Sequence, residues 1–172
     1  MLKTWRQLIG GQYGAALCML SRCVDHCPET LWNEPVGNLK FCQVVFHGLF
    51  FTDFYLEDSD RTCRDQPFHQ ENADFFRDYE ELEYVEQKQL YDRASIRKYL
   101  QHCRTKFARV IAEETEQTLI ARCGFERREF SLAELHVCNV RHIQHHASQL
   151  SLHLRRETGE GIEWVGSGWL DE

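Results

Sequence analysis

Residues 141–150 read RHIQHHASQL and place His142, His145 and His146 within five positions. A neutral imidazole is the commonest protein ligand for transition metals, and it exchanges protons near neutral pH. On an α-helix His142 and His146 stand at i and i+4, offset by about 40° around the axis and about 6 Å along it. Their rings then point the same way and can share one ion. His145 lies about 60° to the other side of His142, so three rings from one helix converge poorly. It reads as a flanking residue bonded to solvent, backbone or a carboxylate, with support of a ligand or proton transfer as its functional alternative.

A third ligand must come from another element. His47 is the only histidine in the segment LKFCQVVFHGLFFTDFYLED, residues 39–58. It falls on that segment's stripe of Val44, His47, Gly48, Phe51, Phe54 and Tyr55, at i, i+3, i+4 and i+7 spacing. His47 sits near the middle of its segment and the other pair near the middle of theirs, so the rings can meet whichever way the helices run. Three neutral histidines with a position left open make a catalytic type of metal site, because closed structural sites use four protein ligands. The competing reading is a seam without metal, in which Asn139, His142, His146 and Gln149 satisfy one another. Buried polar groups without partners would cost about 1–3 kcal/mol each.

Helical periodicity dominates the elements that would carry these residues, and Pro occurs three times in 172 residues. The first helix is expected over 3–26, with Trp5, Leu8, Ile9, Ala16, Leu17 and Leu20 on its apolar face and Pro28 beyond its end. Gly10, Gly11 and Gly14 weaken it locally. The second is expected after Asn38, a good N-cap residue. The third spans about 93–117, capped by Asp92 or Ser95. The fourth opens with Ser131-Leu-Ala-Glu134, a capping box, and runs to about Arg156, stopping near Gly159. The acidic, aromatic stretch 58–91 is far longer than an ordinary helix connection and is expected to hold a short helix near 72–87. Short, long and short links suggest an all-α four-helix bundle, up-down-down-up, with the long connection between helices two and three. The chain 1–172 reads as a single domain with a short C-terminal tail.

With the mid-helix His47 and then His142, His146 and Gln149 in HxxHHxxQ of the last helix, the sequence resembles the DinB/YfiT-like metalloenzymes. The ETLW segment at 29–32 and the long second connection are similar too. The resemblance covers about residues 3–156. It implies a divalent metal held by His47, His142 and His146, most often nickel or zinc, with iron and manganese as alternatives. It also implies homodimers, and thiol-dependent transferases or hydrolases among the relatives. It supplies no substrate class for this chain, because the 58–91 connection and the WVGSGW tail match no motif.

The net charge of −7 opposes a nucleic-acid partner, since RRE at 127–129 and LRRE at 154–157 are the densest basic spots and both include acids. No run approaches the ~20 apolar residues of a membrane span. The N-terminal MLKTWRQLIGG lacks the form of a secretory signal, which favours the cytoplasm. The eight cysteines then read as reduced thiols packed as small hydrophobes.

Other candidates are weaker. Cys23, His26 and Cys27 have metal-ligand spacing on the first helix but no second CxxC to complete a site. Cys63 and His69 share the long connection. GSG at 166–168 lacks the strand and helix of a phosphate loop. His136 and His153 read as surface or seam histidines. Tyr55, Asp53 and Glu57 are close enough in sequence to His47 to be candidates for a general base, and the catalytic residue itself is unknown. The expected function is a divalent-metal-dependent enzyme acting on a small molecule, a hydrolase or a transferase using a low-molecular-weight thiol. The alternative is a non-enzymatic bundle that binds metal or ligand for sensing or assembly. A site at the end of an open pocket favours the enzyme, and a sealed site favours the alternative.

Overall fold

The computed structural model describes residues 1–77 and 87–170. Among these the chain is mainly helical. The α-helices are α1 (Leu2–His26), α2 (Phe41–Phe54), α3 (Pro67–Glu71), α4 (Arg93–Glu113), α5 (Glu116–Ile120) and α6 (Leu132–Thr158). Strands β1 (Pro35–Val36) and β2 (Leu39–Lys40) form a small antiparallel hairpin. No described helix is long and apolar enough to cross a membrane.

The long helices α1, α2, α4 and α6 pack pairwise around one core. Along α1 and α6 the contacts ascend together: Tyr13 meets His136, and Cys23 meets Ala147. Between α1 and α4 they run in opposite senses, with Tyr13 stacked on Phe107 and Asp25 bonded by Arg97. Cys103 reaches Leu49 O and Lys106 reaches Asp53, so α2 and α4 ascend together. Phe41 lies beside His153 while Asn139 donates to Thr52 O, so α2 and α6 oppose each other.

Several helix boundaries follow their chemistry. Asp92 caps α4 by accepting from Ser95 N. Ser131 and Glu134 form the expected reciprocal box at α6, and Gly159 ends that helix at φ 85°. The glycines do not interrupt α1. Gly14 makes room for the C-terminal tail, because a Cβ there would come within 3.0 Å of Gly168 C. The tail is further held by Gly168 N donating to Gly11 O and by Trp169 beneath the Arg104 guanidinium.

Three expected boundaries are corrected. Asn38 does not cap α2. It lies in the hairpin turn, where Gly37 takes φ 70°, and Lys40 is the N-cap residue. The second helix ends at Phe54 rather than near residue 58. The third ends at Glu113, and Thr115 then caps the separate α5 with its own box. In the long connection, helix forms at Pro67–Glu71 and residues 72–77 turn; the acidic run 78–86 lies outside the described residues. The described connection is packed, with Cys63, His69, Phe76 and Tyr91 buried.

Candidate metal centre

His47 comes from the middle of α2, and His142 and His146 come from the middle of α6. The two helices pack directly at Gly48, where a Cβ would be in ordinary van der Waals contact with His146 Cβ at 3.6 Å. The three imidazoles converge edge to edge. His142 Nε2 lies 3.2 Å from His47 Nε2 and 3.0 Å from His146 Nε2. One ligand atom from each of the three falls within 4.8 Å of the others, the only such cluster of metal-ligating side chains among the described residues.

The donor chemistry fits a cation. Zinc–imidazole bonds of about 2.0–2.1 Å in a tetrahedral arrangement separate the nitrogens by roughly 3.3 Å, close to the 3.2 Å and 3.0 Å from His142 to the other two rings. His146 Nδ1 donates to Gln149 Oε1 at 2.9 Å, which leaves its Nε2 unprotonated and facing the other two rings. Burial, and then the charges of His146 and His47, pull the His142 imidazole down to about 3. Burial and the charge of His47 pull His146 down to about 4. Both rings are therefore neutral, ligating bases at physiological pH.

The triad opens into a pocket of about 900 Å³, whose lining includes His47, His142, Phe51, Phe54, Tyr55 and Phe125. At the same pocket stand Asp60, Arg61, Glu126, Arg127 and Arg128. Arg61 bonds Glu126 at 2.6 Å. Arg128 Nη2 donates to Tyr55 Oη at 2.8 Å. Asp60 Oδ1 is buried and has no hydrogen-bond partner among the described residues.

Of the three general-base candidates near His47, Tyr55 alone reaches this pocket. Asp53 turns toward α4 and is fully buried, so its position excludes it as the base. Its Oδ1 accepts from Lys106 Nζ at 2.5 Å, and its Oδ2 accepts from His69 Nε2 at 2.6 Å, Tyr99 Oη at 2.9 Å and Gln66 Nε2 at 3.1 Å. His102 Nε2 lies 3.4 Å from Oδ1 without hydrogen-bond geometry. Burial by itself would raise this carboxyl. The approach of His102, the bond from His69 and the charge of Lys106 outweigh it and hold Asp53 well below the usual carboxylate range. Glu57 pairs with Lys106 as well.

The remaining histidines and thiols separate from the site. His145 is exposed beside His146. His136 is a seam residue rather than a surface one: it is buried between Tyr13 and Glu114, where a hydroxyl and a carboxylate from two other elements satisfy its ring. His153 is half-buried against Phe41. Cys23, His26 and Cys27 do not converge: Cys23 Sγ donates to Ala147 O, and His26 Nδ1 bonds its own helix at Arg22 O. His69 Nε2 is bonded to Asp53 Oδ2. All eight cysteines are free thiols, and burial pushes Cys23 and Cys63 up to about 12 and Cys27 up to about 11, away from thiolate chemistry.

The pocket's charged wall is not legible in the sequence. Its only signal is Arg127-Arg128 shortly before Phe130 and the cap at Ser131, which the neighbouring acids Glu126 and Glu129 disguise as a solvated loop.

The DinB superfamily matches over residues 15–150, a span that contains all three histidines. The chain belongs to the DinB superfamily. Neither a curated protein nor a solved structure matches it. Within that family frame, the triad can hold a metal ion.

Proposed function

We propose that this DinB-superfamily chain is a divalent-metal-dependent enzyme in which His47, His142 and His146 are the protein ligands. The four long helices would form one up-down-down-up bundle domain, consistent with the pairwise senses of their contacts. Nickel and zinc suit an all-imidazole site best, with iron and manganese as alternatives. The observation that carries the reading is the meeting of three imidazole Nε2 atoms at the edge of an open pocket rather than in a sealed core. A closed four-ligand site would favour a structural or sensing role, and this arrangement has three ligands and an approach from solvent.

A bound divalent ion would lower the pKa of a water or thiol and polarise a substrate oxygen. The chain's own residues supply the rest. Gln149 holds the His146 ring from behind, Phe51, Phe54 and Phe125 exclude water from one wall, and Tyr55 presents a hydroxyl positioned by Arg128. Both hydrolysis and transfer to a low-molecular-weight thiol are compatible with that set. With no cysteine among the described residues lining the pocket, the nucleophile would be supplied by the substrates.

We further propose a cytoplasmic homodimer. Sedimentation equilibrium across micromolar concentrations should give twice the chain mass, and a single monomer mass would refute the dimer. The metal reading is tested by elemental analysis of protein purified without a metal-affinity tag. About one equivalent of nickel, zinc, iron or manganese per chain supports it. Metal-free protein that also fails to take up any of the four on dialysis contradicts it.

A further inference from the structure

Arg128 lies in the segment that leads from α5 into α6 and lines the same pocket as His47 and His142. It is half-buried, and its guanidinium stands 5.6 Å from the ring centres of both Tyr55 and Phe130. One of its five N–H groups is used by Tyr55 Oη. Among the described residues no carboxylate pairs with it, whereas its pocket neighbour Arg61 is neutralised by Glu126 at 2.6 Å. A guanidinium partly removed from water and left without a counter-charge is costly, and a planar oxyanion matches its fork of donors.

The rest of the lining selects the ligand further. Phe51, Phe54 and Phe125 form a connected aromatic wall, with Phe54 and Phe125 edge to face at 4.9 Å. Such a wall suits a flat apolar body. Asp60 faces the same space and opposes a second negative charge. The volume of about 900 Å³ lies within the range of small-molecule sites.

We infer that the pocket takes a small organic monoanion, a carboxylate on a flat apolar body, and that Arg128 seats the carboxylate while the body lies along the phenylalanines toward the histidine triad. The assignment rests on the proposed metal site for its direction, since the end remote from Arg128 would be the reacting end.

The test is calorimetric titration of the zinc-loaded protein with phenylacetate, the neutral phenylacetamide and phenyl phosphate. Phenylacetate should bind about tenfold or more tightly than phenylacetamide, and Arg128→Gln should remove that preference. Arg128→Lys, which keeps the charge but loses the fork, should retain part of it. Phenyl phosphate should bind more weakly than phenylacetate. Equal binding of acid and amide by the parent protein overturns the inference, whether or not the variants fold. Phenylacetate binding unchanged in a folded Arg128→Gln protein also overturns it, because the carboxylate then sits on the metal. Tighter binding of phenyl phosphate overturns the choice of a carboxylate. Zinc affinity separates the two readings. Arg128→Gln should bind zinc at least as tightly as the parent, since a nearby positive charge has gone. If the parent takes up none of nickel, zinc, iron or manganese the metal reading fails, and the same acid–amide comparison on metal-free protein then decides the anion site.

Discussion

Asp53 and Lys106 form an ion pair of 2.5 Å with both side chains buried, on the side of α2 that faces α4. The pair fixes the long connection as well as the two helices, because Gln66 and His69 from that connection bond the same carboxylate. Removing one partner of a buried pair leaves the other charge uncompensated. Lys106→Met should therefore destabilise the fold by about 3 kcal/mol or more. Asp53→Asn combined with Lys106→Met should lose less than the sum of the two single changes. Urea denaturation of the four proteins measures this, and strict additivity would show that the charges are not coupled.

Acid should weaken the metal-free protein in two stages. In the unfolded chain His142 and His146 take up protons near pH 6.5, whereas burial delays this in the fold to about 3 and about 4. The unfolded state thus binds more protons over that interval, and stability falls as pH drops below about 6.5. Asp53 adds the second stage. Its folded pKa is depressed, so its contribution is complete above an unfolded value of about 3.9 and is lost as pH falls below it. Urea midpoints of metal-free protein should decline from about pH 7 to pH 5 and more steeply below about pH 4. A midpoint unchanged between about pH 7 and pH 5 would contradict the histidine stage.

Ser131 Oγ accepts from Glu134 N at 3.3 Å while Ser131 N donates to Glu134 Oε2 at 2.9 Å. Ser131→Ala should cost about 0.5–2 kcal/mol, and because α6 carries two of the three histidines the loss should appear in global stability. A denaturation midpoint equal to the parent's would show that the cap contributes nothing.

The features legible in the sequence are those set by local spacing. The i, i+4 pair His142 and His146, the Ser131 box and the Asp92 cap each depend on residues within one turn, and each stands where expected. His47 was legible because it is the lone imidazole on an apolar stripe. What escaped depends on partners far apart in the chain. Asp53 reads as a possible base beside His47 until His69, Tyr99 and Lys106 are brought to it across 16 to 53 residues. His136 reads as a surface or a seam residue until Tyr13 and Glu114 enclose it. Asn38 has the right chemistry for a cap, but Gly37 turns the chain into a hairpin and passes that position to Lys40.

In the proposed site His47 joins His142 and His146 around one ion. Calorimetric titration of metal-free protein with zinc and with nickel, for the parent and for His47→Ala, His142→Ala, His146→Ala and His145→Ala, tests it most directly. Loss of any one ligand leaves a labile two-imidazole site, so each of the first three variants should lose affinity by about a hundredfold or more. His145→Ala should stay within a few-fold of the parent, since its ring is exposed outside the triad. If His47→Ala binds as tightly as the parent, or His145→Ala loses as much as His142→Ala, the three-histidine assignment is wrong.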